Sequence, residues 1–106
     1  MVVRGEIWLA SLDPTVGSEI QKSRPCVIIS PAEIHDYLRT VIVAPMTTGN
    51  QPAPYRIAVG FQGKQGLILL DQIRTLDKTR LVKKMGVVSS KTLDETLETL
   101  QAVFAR

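Results

Sequence analysis

The apolar residues of this chain come in short blocks, none long enough to form a helix core. Pro25–Ser30 (PCVIIS), Val41–Pro45 (VIVAP) and Gly66–Leu70 (GLILL) are each flanked by polar stretches. Apolar runs of that length, bounded by turn signals, read as buried strands. Glu6–Leu12 reads as a strand with Ile7 and Leu9 on one face and Trp8 and Ala10 on the other. Tyr55–Val59 alternates in the same way, and Lys84–Val88 reads as a last short strand. Asp13-Pro14 stops the first strand, and Pro31 opens a short helix reaching about Leu38. Phe61–Gly66, with two glycines, reads as a hairpin turn. Asp77–Leu81 reads as one helical turn.

Only after Ser90 does the period change. Leu93, Leu97, Leu100 and Phe104 recur at helical spacing with Val103 on their edge, a stripe expected to face the core. Ser90 is the expected N-cap. Asp94 and Glu95 are expected in the first turn, with Arg106 at the far end, as the helix dipole favours. Strands followed by one late helix, without regular β-α alternation, exclude a doubly wound parallel sheet. The expected fold is mainly β with helices, of the α+β class: a small antiparallel, partly closed barrel carrying a C-terminal helix. A chain of 106 residues makes one domain, 1–106.

Composition narrows the chemistry. One His and one Cys cannot supply a structural zinc site, which takes four such ligands. A nuclease built on a pair of histidines is excluded as well. Ser-His-Asp catalysis survives only through His35, which reads as a surface or partly buried residue rather than a catalyst. No phosphate-binding glycine loop occurs, and Asp71, Asp77 and Glu19 are too scattered for a two-metal site. No metal and no cofactor are expected. No apolar run approaches the ~20 residues of a membrane span, and Met1–Glu6 does not open a signal peptide. Cys26, inside an apolar run, is an expected buried thiol, suited to the cytoplasm. The net charge is +3. Arg74, Lys78, Arg80, Lys83 and Lys84 stand close together against Asp77 alone. That run reads either as a solvated surface connection or as a patch for phosphate.

Polar groups cluster where strands end. One loop holds Ser18, Glu19, Lys22, Ser23 and Arg24. A second holds Thr47, Thr48, Gly49 and Asn50. Asp71, Gln72, Arg74 and Thr75 follow the third apolar run. A rigid sheet places such residues while leaving them open to solvent. Arg24 precedes a proline, which holds its backbone extended. Its guanidinium fork suits a phosphate or a phosphorane-like transition state. It would equally suit a strand-end ion pair with Glu19 or Asp71. Thr47 and Thr48 offer hydroxyls and also fit simple turn chemistry. Asp71 and Arg74 could tie a strand end together.

These blocks resemble the MazF/PemK toxin family. The resemblance rests on Arg4-Gly5-Glu6-Ile7-Trp8, Leu12-Asp13-Pro14-Thr15, Gly17-Ser18-Glu19, Ser23-Arg24-Pro25 and Pro45-Met46-Thr47. The block from Asp71 to Leu81 (DQIRTLDKTRL) is the most specific. They occur in matching order from about Arg4 to Val103. The resemblance implies an SH3-like barrel of the CcdB/MazF/PemK type, working as a homodimer. It implies a sequence-specific endoribonuclease acting on single-stranded RNA without metal. It also implies an antitoxin partner, whose C-terminal segment is expected to be acidic and apolar. Arg24 and Thr47 match the family's catalytic arginine and threonine. Arginine stays protonated, so Glu19 or Asp71 is the better proton acceptor. Ser18, Lys22, Thr48, Asn50, Gln72 and Arg74 are the expected substrate-binding residues. PemK-type members carry a histidine where Ser18 stands and an arginine where Leu69 stands, which puts this chain nearer the MazF branch. Ile20 stands where many MazF-like chains have glutamine. A gyrase-poisoning binding protein of the CcdB type and an inactive, antitoxin-binding member are the alternatives. Arg24-Pro25 and the DQIRT block argue against the first, and Arg24 with Thr47 argues against the second.

Overall fold

In the computed structural model, residues 1–49 and 51–106 are described. The strands are β1 (Glu6–Ser11), β2 (Ser23–Ile28), β3 (Thr40–Thr47), β4 (Arg56–Phe61), β5 (Lys64–Leu69), β6 (Arg74–Asp77) and β7 (Leu81–Val87). A short helix α1 (Ala32–Tyr37) lies between β2 and β3, and α2 (Ser90–Phe104) closes the chain. Single 3-10 turns at Leu70–Gln72 and Lys78–Arg80 flank β6. The strands pair antiparallel in the order β4-β5-β3-β2-β1-β7, and β6 adds to β3. The sheet curls into a half-barrel, and α2 packs against its core.

β3 explains the curl. Its first half, Thr40–Val43, pairs with β6, while Met46 and Thr47 pair with β5. One long strand therefore serves two neighbours on the same edge, and the sheet bends where it changes partner. β2 is the expected central strand, and both its faces are buried. Val27 packs in one cluster with Ile7, Ala44, Ile68 and Leu100. Cys26 and Ile28 pack on the opposite side with Leu12, Val41, Val43 and Leu76. Alternation at period two sends neighbouring side chains to opposite faces, so a strand with two buried faces must be apolar throughout.

Several expectations shift. Ser89, not Ser90, is the N-cap: its side chain accepts a hydrogen bond from the Thr92 amide. With the helix starting at Ser90, Asp94 and Glu95 fall beyond the first turn, and Arg106 lies past the end. Phe104 stays 72% exposed, while Thr96 is buried to 1%. The stripe that faces the sheet is Leu93, Thr96, Leu97 and Leu100. The hairpin turn is tight, only Gln62 and Gly63, so β5 starts at Lys64, two residues before the expected Gly66. β6 was not expected. It buries one side chain, Leu76, too few to show a period.

Candidate functional site

Arg24 and Thr47 come from neighbouring strands. The β2–β3 register pairs Ile28 with Val43 and Cys26 with Pro45. Arg24 and Thr47 each lie two residues beyond the Cys26–Pro45 end of that ladder, and both line one cavity of about 90 Å3 with Thr48. Arg24 is half-buried, and its Nε donates to the Gln21 carbonyl at 3.2 Å. Neither Glu19 nor Asp71 pairs with it among the described residues, which leaves the rest of its fork for an anion. The Gly49 amide donates to Thr47 Oγ1 at 3.1 Å. The hydroxyl therefore already accepts, and its own hydrogen remains to donate.

β5 presses close against this threonine. A Cβ built on Gly66 would stand 2.4 Å from the Thr47 carbonyl oxygen. Only glycine lets the hairpin approach so near, so Gly66 fixes where the Thr47 backbone lies.

Two further cavities continue the site. One, of about 230 Å3, is bounded by Thr47, Gly49, Arg56, Ser18 and Gln72. The other, of about 390 Å3, is bounded by Ser18, Glu19, Asp71, Gln72 and Arg74. Thr47 is shared by the first pair of cavities, and Ser18, Ile20 and Gln72 by the second pair. The three expected polar groups thus meet along one groove. Gln72 is its pin: its Oε1 accepts from the Ile20 amide at 2.7 Å, fastening the first polar loop beneath the Asp71 turn.

The two carboxylates differ. Asp71 is clasped by Arg56, with Nε to Oδ1 at 3.0 Å and Nη2 to Oδ2 at 2.9 Å. The Arg56 hydrogen bonds hold its carboxyl below the usual aspartate range. An acid with both oxygens engaged and a lowered pKa is a poor proton acceptor at neutral pH. Glu19 engages only Oε1 among the described residues, accepting from the Val16 amide at 2.6 Å. Arg74 half-buries its side chain, and Nη1 donates to the Leu12 carbonyl at 3.0 Å. The tie expected between Asp71 and Arg74 is therefore made instead with Arg56 and with Leu12. Lys22 is exposed and borders none of these cavities. Asn50 lies outside the described residues.

Elsewhere, candidate chemistry turns out structural. His35 is 5% exposed, with Nε2 against Ser30 Oγ at 2.6 Å and Nδ1 against the Val2 carbonyl at 2.8 Å. That bonding ties α1 to Ser30, just beyond β2, and to the N-terminal segment. Burial pushes the Cys26 thiol up to about 12, so it stays protonated and inert. Among the described residues no three His, Cys, Asp or Glu side chains group as metal ligands. No described helix is long and apolar enough to cross a membrane. The basic run after β5 is mostly tied down. Arg80 donates to the Ser11 and Asp13 carbonyls, Lys78 to the His35 carbonyl, and Lys84 pairs with Glu6 at 2.8 Å.

Sequence reasoning missed Arg56, Phe61, Lys64 and Gly66. Arg56 stands opposite Leu69 across the β4–β5 ladder, a pairing only the register reveals. The others lay inside or beside what read as a turn.

Residues 3–104 match the profile of the family described as "PemK-like, MazF-like toxin of type II toxin-antitoxin system". The chain belongs to this family. Among relatives of this PemK/MazF family, Endoribonuclease PemK of Escherichia coli is 39% identical, over 94% of this chain and 80% of its own length. Endoribonuclease MazF of Staphylococcus epidermidis is 41% identical, over 90% of this chain and 84% of its own. The half-barrel is the PemK/MazF fold. MazF from Deinococcus radiodurans superposes with a TM-score of 0.85 at 22% identity, covering 96% of this chain and 94% of that one. A mycobacterial endoribonuclease, solved in complex with its cognate antitoxin, gives 0.80 at 22% identity, covering 96% and 93%.

Proposed function

We propose that this PemK/MazF chain is the toxin of a type II toxin-antitoxin pair, acting as a sequence-specific endoribonuclease on single-stranded mRNA. One observation carries the reading. Arg24 and Thr47 border one cavity, each with donors left over, in a chain whose relatives are named endoribonucleases. The ribose 2′-hydroxyl attacks the adjacent phosphorus. Glu19, with a carboxylate oxygen to spare, takes the hydroxyl proton. Arg24 stabilises the charge gathering on the non-bridging oxygens, and the Thr47 hydroxyl donates to one of them. The 5′ oxygen leaves and takes a proton from solvent water, giving a 5′-hydroxyl and a 2′,3′-cyclic phosphate. Asp71 orients Arg56 on the groove wall rather than moving a proton. Cleavage of messages stops translation and growth in the cytoplasm. The toxin works as a homodimer, and an antitoxin segment that is acidic and apolar covers the same groove.

The test is a mixed single-stranded RNA pool whose cut ends are sequenced and whose end chemistry is assigned. Wild type should cut at a defined motif, with EDTA present, and fail where the attacking nucleotide is 2′-deoxy. Removing one preorganised donor costs about 2.7–4 kcal/mol, or roughly 10²–10³ in rate. Arg24→Ala and Thr47→Val should each lose that much with unchanged melting temperature. An uncut pool, or Arg24→Ala cutting as well as wild type, refutes the proposal. Intact RNA with accumulated gyrase–DNA complexes would assign the CcdB-type reading instead.

A further inference from the structure

The cavity at Arg24 and Thr47 has a half that phosphate chemistry does not use. Pro25, Met46, Val59 and Phe61 make its wall largely carbon. A phosphate pressed against carbon loses hydration with no partner in return, so the anion belongs at the Arg24 and Thr47 rim. A nucleobase is the part of a nucleotide with an apolar face and a polar edge, and the pocket offers both. Phe61 supplies the face. It stands at the tip of the β4–β5 hairpin, paired directly with Lys64 across the Gln62–Gly63 turn. Both turn residues have positive φ, 53° and 76°, the twist that a two-residue hairpin needs. Directly paired residues share a face of the sheet, so Lys64 stands beside the ring and borders the same cavity.

The ring is held from behind. It packs against the core cluster, and a Cβ on Gly86 would lie 3.4 Å from its Cε1 atom. A half-buried ring fixed in this way borders the cavity and loses little freedom on binding.

We infer that this is a base-reading pocket, taking one nucleobase adjacent to the scissile phosphate. The base packs on Phe61, and Lys64 donates to an acceptor on its edge. The inference rests on the ribonuclease reading above. It divides recognition at Thr47. One neighbouring base is read by stacking and a cation, while nucleotides on the other side meet the polar groups around Ser18 and Gln72.

The experiment maps cut ends of a random-sequence RNA pool with wild type, Phe61→Leu, Phe61→Ala and Lys64→Ala. Lys83→Ala is the control for lost charge, and circular dichroism checks folding. Stacking of one base on an aromatic ring is worth about ten- to a hundredfold. Phe61→Ala should slow cutting by that order whatever the base, Phe61→Leu by less, and Lys64→Ala should weaken the base preference at one position next to the cut. Preferences at other positions should stay, and Lys83→Ala should match wild type. Should Phe61→Ala not fold, Lys64→Ala and Phe61→Leu decide alone. Folded variants that cut at the wild-type rate and with an unchanged profile overturn the pocket and leave the ribonuclease reading intact. A wild type that cuts nothing overturns both.

Discussion

Replacing Gly66 by alanine should damage activity through backbone geometry alone. The new Cβ would lie 2.4 Å from the Thr47 carbonyl oxygen, 3.3 Å from its carbon and 3.6 Å from Thr48 Cα. The nearest contact falls about 1 Å short of ordinary van der Waals separation. All three neighbours are backbone, so no side chain can turn aside. Either β5 or the Thr47–Thr48 segment must move by about that distance. Overpacking of this kind costs about 1–3 kcal/mol, and each kcal/mol lowers the melting temperature by about 4–8 °C in a chain of this size. The displacement falls on the residue that is to touch the phosphate. A misplacement of about 1 Å costs of order a hundredfold in rate. The assay is cleavage of a single-site oligonucleotide at a temperature where the variant is fully folded, with thermal melting alongside. Gly60→Ala on β4 is the comparison, since its nearest contacts would be 3.7 and 4.0 Å. It should leave both readings near wild type. A Gly66→Ala protein that melts and cuts like wild type would refute the claim that close approach of β5 positions Thr47.

Arg56→Gln should release Asp71. The folded carboxyl lies below its ordinary value of 3.8, so the ion pair stabilises above that pH and is lost as pH falls through the lowered value. The melting-temperature gap between wild type and Arg56→Gln should therefore close in acid, and a gap independent of pH would contradict the pairing. Thr96→Val should stabilise. The Thr96 hydroxyl is buried and has no hydrogen-bond partner among the described residues. A buried hydroxyl left without a partner costs about 1–3 kcal/mol, so the melting temperature should rise by several degrees, and a fall would point to a bonded hydroxyl.

The strands were legible because both faces of β2 and β3 are buried. An apolar block with two buried faces leaves no polar alternation to confuse it with a surface helix. The failures have equally local causes. β6 exposes Thr75 and Asp77 and buries only Leu76, so no period could form. Gly66 read both as the end of a turn and as the start of a strand, and neither reading showed its close contact. In β5 its role is the missing Cβ, visible only once β3 is beside it. Arg24 and Thr47 were singled out through family motifs, and the pairing of β2 with β3 brings these two separate stretches to one cavity. Arg56 could not be found in this way. Its meaning depends on Asp71, fifteen residues on, across a ladder whose register no spacing reveals.

The cations that looked most like a phosphate patch are mostly engaged elsewhere, and this bears on how binding should respond to salt. Arg74 and Arg80 donate to carbonyls of the β1 end and the loop after it, Lys78 to α1, and Lys84 to Glu6. An Arg or Lys held on one oxygen keeps other N–H donors, but those bonds fix Lys78, Arg80 and Lys84 on α1, the end of β1 and Glu6, and none of the three borders the groove. Among the described residues, cations bordering the groove without a carboxylate partner are Arg24, Lys64 and Arg74. With Lys64 on the base, Arg24 and Arg74 leave one or two phosphate contacts per site. For single strands log Kobs falls with log salt at about −0.7 per contact, which gives a slope of about −0.7 to −1.4. Filter binding of a non-cleavable 2′-deoxy oligonucleotide across a salt series measures it. Were the run from Arg74 to Lys84 a phosphate patch, its five cations would add to the slope and take it beyond about −3.5. A slope that steep, relieved by substituting Lys83 and Lys84, would show that RNA crosses the β7 edge rather than the groove between β2, β3 and β5.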